Sequence, residues 1–276
     1  MPHPVLFRIV VFLLLGASSY GTLVIGAFNS DRVGFGNVVD GPIAEDLRSL
    51  VTGAFPETTF VGTNLLSSAF LDTVDVLLIG APTLTGVTSL SSEEQLNLLN
   101  FVKRGGGAMI FSDNDTHAGV PTSDDAAETF LDPFGVDGAG HLDGPQLAQR
   151  VEQHHPVLDG PFGSVTFIAT YHAGWFDGLG SNATSLANFD SNGEAAILGI
   201  APGALGEGSG GVVFLSDAHI LIDSAEGGYI GEQDNSKLIL NSVAYVVPEP
   251  STGLIGLAGL AVFAACRRHR AWRVEG

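Results

Sequence analysis

The sequence predicts an α/β fold in which a mostly parallel, doubly wound sheet is covered by helices. Two observations support this prediction. The predicted strands are continuous apolar runs rather than alternating patterns, which is typical of strands buried on both faces. Predicted helices separate the strands along the chain, the order expected for βαβ units. A further hydrophobic stretch lies at each end, outside this alternation, so the domain between them spans residues 22–246.

The first half of the domain supplies the clearest elements. Pro42 opens a predicted helix that continues through Leu50, because proline suits the first helical position. Ser91 and Glu94 have the spacing of a capping box for the next helix, which ends before the glycines at 105–107. The predicted strands of this half are residues 22–28, 58–61, 74–80 and 108–111.

The second half of the domain is less regular. Between about residues 112 and 207 the chain is rich in Gly, Asp and Asn. Apolar runs at 164–171 and 195–200 predict two further strands within this region. Residues 210–217 predict a last strand, and residues 234–243 predict a closing helix.

Taken together, these segments resemble the class I glutamine-amidotransferase-like fold, and in particular its non-catalytic trehalose-utilisation-type and gliding-motility-type branch. The matching segments are residues 74–80, 98–110, 155–158, 210–217 and 234–243. The resemblance implies a flavodoxin-like sheet. Amidotransferase chemistry needs a thiolate nucleophile, but the single cysteine, Cys266, lies outside the domain. No Gly-x-Ser-x-Gly elbow is present either, so the sequence favours a protein that is not an enzyme.

The C-terminal segment, residues 247–270, has three parts: a Pro-Glu-Pro break, an apolar run and a basic cluster. This arrangement resembles the PEP-CTERM sorting signal of Gram-negative bacteria. The resemblance implies processing by exosortase, a membrane protease-transpeptidase. The apolar run predicts a transmembrane segment whose arginines stay cytoplasmic. An ordinary C-terminal anchor without processing is the alternative. The sorting motif is Pro248, Glu249 and Pro250, and the basic stop is Arg267, Arg268 and Arg270.

The N-terminal segment, residues 1–21, has the three parts of a secretory signal peptide. Arg8 precedes an apolar run at 9–15, and small residues follow. The run is shorter than the ~20 residues that a spanning helix needs, which favours cleavage by signal peptidase over an uncleaved anchor. We therefore expect export across the inner membrane, to a membrane-anchored, cell-surface or extracellular location.

The domain is strongly acidic. Residues 22–247 contain 6 Lys and Arg against 28 Asp and Glu, a formal net charge of −22 with neutral histidines. This excess excludes nucleic acid as a partner. It suits a secreted, soluble protein, and it also suits a surface that meets divalent cations.

Acidic and imidazole side chains follow two of the predicted strands. Asp113, Asp115 and His117 come after one strand, and Asp217 and His219 come after the last. Ligands of open parallel sheets bind at the carboxyl ends of strands. Carboxylate and imidazole together can hold a divalent ion, and carboxylate-rich loops favour Ca²⁺. Turn stabilisation is the alternative role of these residues. Further histidine candidates are His141, His154, His155 and His172.

Aromatic residues cluster in the second half of the domain. Trp175 with Tyr171, His172 and Phe176 is a candidate platform for sugars, although packing in the core is the alternative. The whole sequence favours an exported surface or matrix protein with a binding or structural role, with exopolysaccharide as a candidate partner. The alternative is a metal-dependent hydrolase acting on extracellular polysaccharide.

Overall fold

The computed structural model describes residues 22–80, 88–113 and 128–248. Its α-helices include α1 (Ser30–Val33), α2 (Glu45–Ala54), α3 (Ser68–Leu71), α4 (Ser92–Lys103) and α5 (Asn235–Val246). Its strands are β1 (Val24–Phe28), β2 (Thr59–Thr63), β3 (Val76–Ile79), β4 (Gly107–Phe111), β5 (Asp137–Ala139), β6 (Pro145–Arg150), β7 (Asp159–Gly160), β8 (Gly163–Ser164), β9 (Phe167–Tyr171), β10 (Trp175–Gly178), β11 (Ala183–Phe189), β12 (Ala195–Ile200) and β13 (Val212–Leu215).

Five strands form the parallel part of the sheet, in the order β2-β1-β3-β4-β13. This order is that of flavodoxin-like sheets, with β13 in the last place. Every residue of β3, β4 and β13 is buried, because helices cover both faces. On one face α2 and α5 pack against the sheet, and on the other face α4 does. The predicted α/β fold is confirmed.

An antiparallel extension continues the same sheet beyond β13. The order runs β13-β12-β11-β6-β9, with β10 paired to β12 and β5 paired to β10. The sequence predicted β12 and the apolar part of β9, but it missed β5, β6, β10 and β11. In β6 only Ala148 is buried, so this strand lacks the apolar run that marks the buried strands.

The N-terminus of α4 shows the predicted capping box. The Ser91 hydroxyl accepts a hydrogen bond from the backbone N–H of Glu94, and the Glu94 carboxylate accepts one from the backbone N–H of Ser91. These bonds satisfy two backbone donors that the first helical turn leaves unpaired. The cap fixes where α4 begins, and Leu98, Phe101 and Val102 then face the core.

Several predicted features lie outside the described residues. They are the signal peptide, the tail beyond Pro248 with Glu249, Pro250 and its arginines, and the candidate ligands Asp115 and His117. Within residues 22–80, 88–113 and 128–248, no helix is long and apolar enough to cross a membrane.

Candidate functional site

The carboxyl ends of β4 and β13 bring three predicted ligands together. The two strands pair in register, with Phe111 opposite Leu215. Asp113 and Asp217 each come two residues after these partners, which places them next to each other at this edge of the sheet. One ligand atom each of Asp113, Asp217 and His219 lies within 4.8 Å of the others. The sheet geometry therefore assembles a carboxylate–imidazole group at this edge.

Asp217 is wholly buried, and both of its carboxylate oxygens already accept hydrogen bonds. Oδ1 accepts from the backbone N–H of His219 at 2.8 Å and lies 3.0 Å from Nδ1 of the same residue. Oδ2 accepts from the backbone N–H of Tyr171 at 2.7 Å. The side chain thus ties the turn after β13 to the end of β9, which is a structural role.

The His219 ring is held beside these carboxylates. Burial alone would lower the pKa of His219, but the hydrogen bond and charge of Asp217, with the charge of Asp113, outweigh burial and raise it. The raised pKa means that His219 keeps its proton to a higher pH than a free imidazole does. A protonated His219 compensates the carboxylate charge in the way that a bound cation would.

Tyr171 is the centre of an aromatic group at the same edge. Its ring contacts the rings of His172 and His219 at centroid distances of 4.2 and 5.4 Å. Tyr229 stacks on it at 5.7 Å with an interplanar angle of 18°. Tyr229 was missed by the sequence reasoning, because it lies in a loop 58 positions further along the chain without any local aromatic pattern.

The predicted sugar platform differs from this observed group. Phe176 is buried in the core, where its ring packs edge-on against Phe214. Trp175 is half-buried, and its ring lies directly over Gly140, where a Cβ would come within 1.7 Å of it. Only Tyr171 and His172 of the predicted set belong to the group around Tyr229.

A second group of ligand-type atoms comprises His141, Asp143 and His172, again within 4.8 Å of one another. The two histidines were among the sequence candidates, whereas Asp143 was not. The remaining candidates lie apart from this group. His155 packs against Tyr245 with ring centroids 4.9 Å apart, and burial lowers the pKa of His155. The His154 side chain is 91% exposed.

A cleft of about 540 Å³ is lined by residues of β6 and of the loop that precedes α5. Tyr229 forms one wall and Leu147, with a 41% exposed side chain, contributes an apolar surface. Amide, hydroxyl and carboxylate groups also line the cleft. The cleft is lined by Pro145, Gln146, Leu147, Ala169, Asp190, Ser191, Tyr229, Glu232 and Gln233.

A third place is the crevice between β1 and β3, where flavodoxin-like sheets bind ligands. Here a cleft of about 570 Å³ is lined by a buried ion pair, Arg32 with Glu94. Arg32 also donates to the backbone carbonyls of Asn64 and Ser89. Burial raises the pKa of Glu94, but the hydrogen bond from Arg32 and backbone donors outweigh it and the pKa is lowered. The opposite charges of Arg32 and Glu94 therefore compensate each other within the fold.

The comparisons with known proteins explain the C-terminal segment. Residues 246–271 match the PEP-CTERM protein-sorting motif. This match confirms the resemblance seen in the sequence. A PEP-CTERM motif indicates export, membrane or surface association in Gram-negative bacteria, and processing by exosortase. The match covers residues 246–271 only and does not describe the α/β domain.

Solved structures similar to this chain share its fold at low identity. The N-terminal domain of mmIFT52 has a TM-score of 0.53 and 12% identity, covering 81% of this chain and 96% of its own. A glutamine amido transferase from Methylobacillus flagellatus has a TM-score of 0.50 and 9% identity, covering 83% and 96%. A ThuA-like protein from Bacteroides uniformis has a TM-score of 0.47 and 14% identity, covering 86% and 97%. The comparison with curated protein sequences gives no match. The match to the glutamine amido transferase confirms the amidotransferase-like fold.

Proposed function

We propose that this exported PEP-CTERM protein acts at the cell surface or in the extracellular matrix, where its α/β domain binds extracellular polysaccharide without transforming it. The observation that carries the proposal is the cleft beside Tyr229. Sugar sites combine an aromatic or apolar surface for the C–H faces of the ring with polar groups for the hydroxyls.

The composition of the cleft fits this chemistry. Tyr229 is held by its parallel stacking on Tyr171, so its ring is fixed before a ligand arrives. Leu147 extends the apolar surface. Gln146, Asp190 and Glu232 place amide and carboxylate groups at the same opening, where they can donate to and accept from sugar hydroxyls.

The carboxyl edge of β4 and β13 supports binding rather than catalysis. A hydrolytic acid or base must be within hydrogen-bond reach of the substrate, with a protonation state that changes during the reaction. Asp217 is wholly buried and its two oxygens are occupied by protein donors. His219 is engaged with Asp217 through Nδ1.

The charge of the domain narrows the ligand class. At a formal −22 over residues 22–247, the surface repels polyanions such as uronic-acid polymers. We therefore expect neutral polysaccharide to bind more tightly than an anionic one at low salt.

Affinity electrophoresis of the full chain through gels containing a neutral glucan tests the proposal. Retardation by the glucan is expected, and Tyr229→Ala should reduce it at least tenfold in apparent affinity. Phe167→Ala is the matched control, because Phe167 is a 38% exposed aromatic residue of β9 outside the cleft lining. Equal retardation of Tyr229→Ala and the parent chain would show that the cleft is not the binding site.

A metal-dependent hydrolase is the second candidate function. The convergence of Asp113, Asp217 and His219 within 4.8 Å favours it, since two carboxylates and an imidazole can hold a divalent ion. It predicts release of reducing sugar from extracellular polysaccharide that depends on an added divalent metal. Asp113→Asn and Asp217→Asn should abolish this release in folded protein. Full activity of either folded variant would contradict the hydrolase assignment.

A further inference from the structure

The group of His141, Asp143 and His172 has the donor set of a transition-metal site. Two imidazoles and one carboxylate meet in it. Imidazole suits zinc, nickel and copper, whereas Ca²⁺ prefers oxygen ligands alone. The three residues come from two places in the chain: the loop before β6 supplies His141 and Asp143, and the residue after β9 is His172.

The distances in this group are close to those of a tetrahedral site. Nε2 of His141 is 2.7 Å from Oδ1 of Asp143, and Nδ1 of His172 is 3.8 Å from the same oxygen. Ligand bonds of about 2.0–2.2 Å at tetrahedral angles place neighbouring ligand atoms about 3.3 Å apart. Each separation therefore needs a change of about 0.5 Å. Asp143 can make that change, because its side chain is 91% exposed.

Nδ1 of the His172 ring is unprotonated. The backbone N–H of Gly144 approaches Nδ1 of His172 at 3.3 Å. A backbone N–H can only donate, so Nδ1 is an acceptor in this arrangement. The contact is long for a hydrogen bond, and a metal ion would compete with it for the same lone pair.

The backbone around the group is held in place by the sheet. The N–H of Leu142 donates to the carbonyl of Ala173 at 2.8 Å, and the N–H of His172 donates to the carbonyl of Gly144 at 3.1 Å. His172 itself has φ +54°, a left-handed conformation that is uncommon for a residue with a side chain. The rings of His141 and His172 lie nearly parallel, at 12°, with their centroids 5.5 Å apart. The backbone contacts hold the two residues beside each other before a metal arrives.

We infer that His141, Asp143 and His172 bind one divalent transition-metal ion of the zinc type, with solvent completing the coordination. This site is distinct from the group of Asp113, Asp217 and His219. It does not depend on polysaccharide binding at the cleft.

Metal titration of the full chain tests the inference. The protein is stripped with a chelator, dialysed separately against Zn²⁺, Co²⁺ and Ca²⁺, and analysed for bound metal by mass spectrometry. We expect one equivalent of Zn²⁺ and of Co²⁺ to be retained through this group. Bound Co²⁺ should give the intense visible absorption of a tetrahedral site.

Two variants and a matched control decide where the ion lies. His172→Asn removes the imidazole, while asparagine tolerates the left-handed backbone. His141→Gln removes the other imidazole. Each should weaken Zn²⁺ affinity at least ~100-fold, more than the loss of an outer-shell partner. His154→Asn is the control, because His154 is also left-handed, at φ +67°, and is exposed outside the group.

Three outcomes are decisive. Loss of the equivalent in His172→Asn and His141→Gln, with retention in His154→Asn and unchanged circular dichroism, supports the site. Retention in His172→Asn with loss in His219→Gln would place the ion at the other group and overturn the inference. Failure of the parent chain to retain any Zn²⁺ or Co²⁺ would also overturn it.

Discussion

Asp217 links two distant parts of the chain through one short side chain. Its carboxylate accepts hydrogen bonds from the backbone N–H groups of His219 and Tyr171, and the latter lies 46 positions away. A hydrogen bond to a charged group contributes about 1.5–3 kcal/mol to the free energy of unfolding. A residue type that suggested a metal ligand in the sequence is therefore also an anchor of the β13 turn.

Asp217→Asn should reduce the free energy of unfolding by about 2 kcal/mol. The amide group of asparagine would face a backbone N–H that now donates to a carboxylate oxygen, so at least one bond is lost. Urea denaturation at pH 7 measures this change. Asp177→Asn, at an exposed position of β10, is the control and should change the value by less than about 0.5 kcal/mol. Equal stability of both variants would contradict the anchoring role.

The meeting of Asp113, Asp217 and His219 could be anticipated from the sequence, since both segments follow buried strands of one parallel sheet. The donor from Tyr171 could not, because it depends on the antiparallel position of β9. For the same reason the sequence did not indicate that His172 and Asp143 would meet. Contacts made between strands with irregular patterns are set by tertiary packing alone.

At the scale of single elements, the start of α4 depends on more than its local capping box. Glu94 also accepts from the backbone N–H of Leu66 and pairs with Arg32, whose guanidinium lies 4.3 Å from the centre of the Phe28 ring. The side chains of this ion pair are only 8% and 5% exposed, for Arg32 and Glu94 respectively. Helix α4 is thus connected to the end of β1 through a buried charge pair.

Glu94→Gln should lower the free energy of unfolding at pH 7 by about 2 kcal/mol, because charged hydrogen bonds are replaced by neutral ones. The pH dependence follows from the lowered pKa of Glu94 in the fold. Its stabilising contribution is complete above the unfolded value near 4.5 and is lost as the pH falls through the folded value. Urea denaturation at pH 7, 5 and 3 should therefore show a smaller acid loss in Glu94→Gln than in the parent chain.

The neighbouring Glu93, exposed in the same helical turn, provides the control for this pH series. Glu93→Gln should retain the acid dependence of the parent chain. If the parent and Glu94→Gln lost stability in parallel between pH 5 and 3, the carboxylate of Glu94 would not be the group that titrates.

Gly107 and Gly53 differ in whether the fold has room for a side chain at their positions. A Cβ on Gly107 would lie 1.8 Å from the carbonyl oxygen of Val246, so β4 can pass the end of α5 only without a side chain. A Cβ on Gly53, near the end of α2, would meet nothing within 4 Å. Gly107→Ala should destabilise the fold by more than about 2 kcal/mol, because the opposing atom is backbone and cannot move alone. Gly53→Ala should stabilise it by about 0.5 kcal/mol. Thermal denaturation of both variants measures these opposite signs, and a neutral Gly107→Ala would contradict the close contact.

The buried elements were the predictable ones, and the physical reason is visible in the strands themselves. In β3, β4 and β13 every residue is buried, which leaves a continuous apolar run in the sequence. In β6 five of six residues remain at least partly exposed, and the strand begins with Pro145. The position of β6 depends on its pairing with β9 and β11, and the local sequence does not indicate that pairing.

On the scale of the whole molecule, one sheet combines a parallel part with an antiparallel extension. Both proposed ligand sites, the cleft and the group of His141, Asp143 and His172, depend on residues from the extension. The parallel part provides the buried strands that the sequence pattern predicted, whereas the extension provides the surface on which we place binding. This division accounts for a fold that was predictable and a function that was not.

The C-terminal sorting motif indicates export, and we predict that the exported chain is processed at both ends. Protein isolated from its native host should have an intact mass that lacks residues 1–21 and the segment after about Pro250. The sorting motif would be read by exosortase at its Pro-Glu-Pro start, so Glu249→Ala should leave the tail in place while the signal peptide is still removed. Mass spectrometry of the parent chain and of Glu249→Ala, each isolated from membrane and extracellular fractions, shows which terminal segments have been removed. A parent chain that retains residues 254–270 would instead be an ordinary membrane-anchored protein, and its domain would stay at the membrane rather than reach the matrix.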